Sequence, residues 1–166
     1  MKNLLLTLLV ITTTFLVGCE TPSSPATSSS FLAEAAEGGL AEVQLASLAV
    51  TRSQNPEIRQ FALRMIEDHT KANDELKPLA ASKSVSFPKE LNSTNKSLSD
   101  KLAKLKDAEF DKEYVKAMVE DHEKDVKEFQ TQSQNGNDPD IKAFAAKTLP
   151  VLQEHLQMIQ VIKAKM

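Results

Sequence analysis

The 166-residue chain is 41% hydrophobic and 26% charged, ordinary values for one globular domain with a real core. Its formal net charge of −3, with no basic stripe interleaved with aromatics, weighs against nucleic acid as a partner. Aromatics are only 5%, and Ala, Leu, Lys, Glu and Gln dominate the middle of the chain, which points to helices.

The first segment reads as an export signal. Lys2 supplies a positive start, and Leu4 to Val17 is a short apolar run softened by Thr12, Thr13 and Thr14. A bilayer span needs roughly 20 apolar residues, so this run is not a permanent anchor. It ends in "LVGC", Leu16 to Cys19, which resembles the bacterial lipobox. That resemblance implies cleavage before Cys19 and lipid attachment to its sulfur, with residues 1–18 as a lipoprotein signal peptide. Cys19 is the single cysteine, so no intramolecular disulfide can form. "ETPSSPATSSS", Glu20 to Ser30, cannot bury enough apolar area to order itself. Residues 19–30 are therefore read as the lipidated Cys and a flexible tether with a reach of roughly 20 Å. The lipid on Cys19 makes the membrane the expected partner. It places the 31–166 domain in the bacterial cell envelope, facing the periplasm, with the outer membrane preferred over the inner.

Four long helices and one short one follow. The first runs from about Phe31, capped by Ser30, to Arg52, with Gly38 and Gly39 inside it. Each glycine costs roughly 1 kcal/mol against Ala, so the pair calls for a closely packed neighbour or a bend. The second starts at Asn55-Pro56-Glu57, a cap followed by proline and an acid in the first turn. Its apolar stripe is Ile58, Phe61, Ala62, Met65, Ala72 and Leu76, and Pro78 should bend or end it near Lys77. The chain is then extended around Phe87 and Pro88, and Leu98, Leu102 and Leu105 suggest a short helix. Asp107 reads as the cap of a third long helix, Ala108 to about Gln134, stopped at Asn135-Gly136. Asp138 and Pro139 start the fourth, which reaches about Lys163 with a kink expected at Pro150.

Connection lengths set the expected topology. Joints of two to four residues make helices one and two, and three and four, antiparallel neighbours. Between the pairs lie roughly 20 to 25 residues, enough to travel back along a helix of about 37 Å. The expected fold is all-α: a ferritin-like four-helix bundle of two antiparallel helical hairpins, joined by a long crossover containing a short helix. An up-down-up-down bundle with a surface excursion competes with it.

"MIEDHTK", Met65 to Lys71, is nearly repeated as "MVEDHEK", Met118 to Lys124, and "LQEHLQM" lies on the fourth helix. Neighbours at ±3 and ±4 share a helix face. For His69 these are Met65, Ile66, Ala72 and Asn73; for His122, Met118, Val119, Asp125 and Val126; for His155, Val151, Leu152, Met158 and Ile159. The three histidines of the chain should therefore point inward, and so should Glu42, among Gly38, Gly39, Leu45 and Ala46. Glu42 lies about 12 residues before the first hairpin turn and His69 about 15 after it. His122 lies about 14 before the second turn and His155 about 17 after it, so all four sit at comparable depth. One inward His or carboxylate per helix is what a bundle-core metal site needs. Glu42, His69, His122 and His155 are the candidate ligands for one transition metal ion (Fe, Zn, Cu or Mn). Asp68, Asp121 and Glu154 each precede a histidine directly, near the edge of the core, as candidate supports. The positions three before each histidine are Ile66, Val119 and Leu152, so the Glu-x-x-His pair of di-metal carboxylate bundles is missing. That weighs against a metal-dependent oxidoreductase. Met65 and Met118 could offer soft sulfur but are read as core filler. The competing reading makes the protein a structural or interaction protein, whose inward histidines only pack and hydrogen-bond.

Three stretches together, "FLAEAAEGGLAEVQLASLAVTRSQNPEIRQFALRMIEDHTKANDEL", "FDKEYVKAMVEDHEKDVKEF" and "TLPVLQEHLQMIQ", resemble the bacterial domain-of-unknown-function family 4142 over roughly Phe31 to Ile162. The resemblance implies a ferritin-like fold in an exported protein or lipoprotein. The matching positions are Glu42, Asp68, His69, Asp121, His122 and His155. It supplies no activity. The functional expectation is thus a membrane-anchored envelope lipoprotein, either a metal-binding or stress-protective module or a structural one, with its protein partner and self-association left open.

Overall fold

The computed structural model describes residues 28–166; the segment read from sequence as a signal peptide, Cys19 and the expected tether up to residue 27 lie outside the described residues. Five helices make up the described chain: α1 (Ser28–Arg52), α2 (Pro56–Ser82), α3 (Ser93–Lys104), α4 (Asp107–Asn135) and α5 (Pro139–Ala164). The fold is a helical bundle with no strand among the described residues. None of these helices is long and apolar enough to cross a membrane.

The helix starts follow local chemistry. The Asn55 side chain accepts hydrogen bonds from the Glu57 and Ile58 amides, and Asp138 does the same for Asp140 and Ile141. Each is followed by proline, whose missing N–H costs nothing there. Three boundaries differ from expectation. First, Ser28–Ser30 are helical rather than tether, and Ser30 lies inside α1 rather than capping it. Second, α2 passes Pro78 and ends at Ser82. Pro78 and Asp74, whose carbonyl loses its partner, are both on the exposed side, while Leu76 and Ala80 are buried and hold the last turns in place. Third, the residue at the cap position of α4 is Lys106, which makes no side-chain capping bond. Asp107 is the first helical residue, with φ of 48°, a left-handed conformation that Asp tolerates better than most.

Contacts between helices fix their directions. Along α1 and α4, Phe31 meets Phe129 and Glu42 meets His122; along α1 and α2, Gly39 meets Asn73 and Glu42 meets His69. Along α2 and α5, Lys165 pairs with Glu57, Glu154 with Arg64 and Asp138 with Lys83. Numbers rise on one helix as they fall on the other, so each of these neighbours is antiparallel. It follows that α2 and α4 run the same way, and residues 83–106, with α3, carry the chain back between them. This segment packs on the bundle through buried Leu102, through Asn92 donating to Glu37 at 2.6 Å, and through a Lys101–Glu113 ion pair.

The core falls into two apolar clusters. One gathers Leu45, Phe61, Met65, Phe110, Tyr114, Met118 and Ile159; the other gathers Phe31, Leu32, Leu76, Phe129, Phe144 and Leu152. Met65 and Met118 are fully buried in the first, as core filler. Between the clusters, every long helix places one ionisable group: Glu42, His69, His122 and His155. The bundle is thus apolar, polar and apolar again along its length.

Candidate metal centre

Each of the four groups is carried inward by the stripe that holds its helix in the core. Glu42 is 1% exposed, His69 6%, and His122 and His155 0%. One ring nitrogen from each histidine lies within 4.8 Å of the others. The ring centroids are 5.3 Å (His69–His155), 5.5 Å (His122–His155) and 5.9 Å (His69–His122) apart. Glu42 Oε2 is 2.8 Å from His69 Nδ1, and Oε1 is 3.5 Å from His122 Nε2 without hydrogen-bond geometry. The Phe61 ring lies edge-on to His122 and His155, at 6.3 and 6.1 Å, and walls them on the apolar side.

The hydrogen-bond accounts of the three rings match. His122 Nδ1 donates to the Met118 carbonyl at 2.9 Å, one turn back on its own helix. His69 Nδ1 is engaged by Glu42, and His155 Nε2 by Asp68 Oδ2 at 2.9 Å. The other nitrogen of each ring, His69 Nε2, His122 Nε2 and His155 Nδ1, is buried with no hydrogen-bond partner, as is Glu42 Oε1. A buried polar atom left unpaired costs about 1–3 kcal/mol. Three clustered histidines, each with one unpartnered nitrogen and a ring oriented by a carboxylate or a carbonyl, fit the pattern of metal-ligating histidines.

Charge favours the ligating form. Burial pushes His69 down to about 4 and, with repulsion from the other two histidines, His122 to about 3; burial and repulsion from His69 lower His155. All three are therefore neutral at physiological pH, which a metal ligand must be. Burial and neighbouring Asp121 push Glu42 well above the usual carboxylate range. A cation beside Glu42 would reverse that preference and let the ionised Glu42 accept from His69 Nδ1, leaving a lone pair on Nε2. Burial alone would raise Asp68, but hydrogen bonds from Arg64 and His155 outweigh it and hold the carboxyl below its ordinary value.

A cavity of about 20 Å³, room for about one small particle, touches Glu42 and His69 and is lined further by Gly39, Asn73, Asp125 and Thr148. Gly39 explains one of the two glycines of α1. A Cβ there would stand 2.2 Å from the Asn73 side-chain oxygen, so only glycine lets α2 approach at the height of the site.

The candidate residues thus divide. Glu42, His69, His122 and His155 come together. Asp68 joins them by bonding His155. Asp121 is half-buried and acts on Glu42 and His69 through its charge. Glu154 departs from expectation: it is half exposed and reaches Arg64 at 3.4 Å rather than any histidine, because its azimuth on α5 points past the groove toward α2. Sequence reasoning did not single out Asp125, which burial together with Glu42 and Asp121 pushes well above the carboxylate range. Its position three after His122 and that of Asn73 four after His69 were the available signals.

Fold and site together define a helical-bundle protein with a buried cluster of three histidines and a carboxylate. The chain belongs to the family described as "Domain of unknown function (DUF4142)", whose model matches residues 18–162. No curated protein matches it. Among solved structures it resembles CopM in the Cu(II)-bound form at 16% identity and TM-score 0.71, with 86% of this chain and 99% of that one covered. CopM in a silver-bound form gives 17% identity and TM-score 0.68, covering 84% and 97%. A DUF305 fragment from Deinococcus radiodurans gives 12% identity and TM-score 0.72, covering 86% and 100%. At these identities the likeness speaks to the fold.

Proposed function

We propose that this chain is a lipid-anchored envelope protein whose ferritin-like bundle holds one late transition metal ion at His69, His122 and His155, with Glu42 at the edge of the set. The observation that carries the reading is the clustering of three buried imidazoles, each of which keeps one nitrogen without a hydrogen-bond partner. The ferritin-like reading of the bundle is supported by the parallel course of α2 and α4 and the crossover between them. Imidazole donors suit copper and zinc, and iron less closely; manganese prefers oxygen. Copper heads the order by intrinsic affinity, and copper- and silver-bound CopM share the bundle. Full burial of the ligands favours sequestration, and hence protection of the envelope, over turnover of a substrate. The purely structural alternative leaves three buried nitrogens unsatisfied at about 1–3 kcal/mol each.

Metal analysis of the purified protein tests this, after exposure to copper, zinc, iron and manganese salts in turn. The expected result is about one copper or zinc ion per chain, a raised melting temperature through linkage, and loss of both in His122→Ala. Metal-free protein whose melting temperature no ion raises would overturn the proposal.

A further inference from the structure

We infer that Asp68 and Arg64 are positioning residues for this site: they hold the His155 proton on Nε2, so that His155 meets the metal through Nδ1 while His69 and His122 use Nε2. The inference rests on the metal-binding reading above. Its basis is one oxygen with two donors. Asp68 Oδ2 accepts from His155 Nε2 at 2.9 Å and from Arg64 Nε, four residues before it on α2. An ionised carboxylate only accepts, so the bond to His155 requires Nε2–H. A neutral ring with its proton there has its lone pair on Nδ1, the buried atom without a partner.

The three supports are not equivalent. His122 is oriented by a backbone carbonyl of its own helix, which no substitution removes. His69 is oriented by Glu42, sealed in the core at 1% exposure. His155 alone depends on a group that reaches the surface. The Asp68 side chain is 17% exposed, and the Arg64 side chain, which pins it, is 42% exposed and extends on to Glu154. A charge at Asp68 also strengthens the basicity of the ring it holds. Arg64 and Asp68 thus set, from outside the ligand set, which atom His155 presents and how strongly.

The test uses the full chain, metal-free, with ¹⁵N-labelled histidine and with Cu²⁺ and Zn²⁺ titrated against a competing chelator. The expected wild-type spectrum has His155 protonated on Nε2. Asp68→Ala should mix the His155 tautomers and weaken metal binding by about 10–100-fold. Asp68→Asn keeps an accepting oxygen, so it should retain the tautomer and lose less affinity. Arg64→Ala should keep the tautomer and weaken binding by about two- to fivefold, the worth of an exposed pair. A residue that only pins α2 to α5 would lower the melting temperature and leave tautomer and affinity alone. His155 protonated on Nδ1 in the wild type, or wild-type affinity in Asp68→Ala, would overturn the inference while leaving the metal site standing. Should Asp68→Ala fail to fold, the wild-type spectrum with Asp68→Asn and Arg64→Ala decides. A wild-type chain that takes up neither ion overturns both readings together.

Discussion

His122 has no exposure at all, and its imidazole stays neutral well below the ordinary histidine range because water cannot reach the cation. With His69 at about 4 and His122 at about 3, protons compete with a metal only in acid. Bound copper or zinc is therefore expected to persist to a more acidic pH than ligands titrating near the ordinary 6.5 would allow. An acid titration followed by free-metal concentration checks this. In the metal-free protein the histidines and Glu42 act in opposite directions. Lowered histidines give stability that is complete above their unfolded value of 6.5 and is lost as pH falls toward about 4 and 3. Glu42 is raised, so its contribution is complete below its unfolded value of 4.5 and is lost as pH rises through its folded value. Glu42→Gln should therefore remove the alkaline loss and keep the acid one. Melting temperatures of both proteins across the pH range would show it, and parallel curves would contradict it.

The helices show which local rules tertiary packing overrides. Asn55-Pro56 and Asp138-Pro139 start helices where the sequence placed them, because a cap and a proline act within one turn. Pro78 did not stop α2, because burial of Leu76 and Ala80 outweighs one lost hydrogen bond on a wet face. The glycine pair of α1 divides in the same way. Gly39 is imposed by Asn73, whereas the nearest atom to a Cβ at Gly38 would be an Asp125 oxygen at 4.0 Å. Gly38→Ala should raise stability by about 0.5–1 kcal/mol through helix propensity. Gly39→Ala should lower it by about 1–3 kcal/mol, the cost of overpacking, and shift Asn73 beside His69. Chemical denaturation of the two variants measures the contrast in sign. Two equal effects would mean that Asn73 moves aside without cost.

At the scale of the molecule, an apolar–polar–apolar bundle is an economical way to hold a metal ion. Two dry clusters fix the helices, and the layer between them brings one group from each to the same height. The proposed tether and lipid would keep that bundle within roughly 20 Å of a membrane surface. Cys19→Ala is expected to move the protein from the membrane to the soluble fraction or to stop its processing. Cell fractionation with immunodetection reads either result, and a processed, membrane-bound variant would contradict the lipid anchor.

The sequence by itself determined the helices, most of their ends and the inward course of Glu42, His69, His122 and His155, because periodicity and capping are properties of a single helix. It also carried the family. What it could not contain is the rotation of each helix against its neighbours. That rotation decides that Asp68 meets His155 while Glu154 turns to Arg64, and that Asp125 lies beside Glu42. It leaves one nitrogen of each histidine without a partner. A helix fixes the azimuth of a side chain to within tens of degrees, whereas a ligand set is fixed to tenths of an ångström, and only the packing of four helices together reaches that precision.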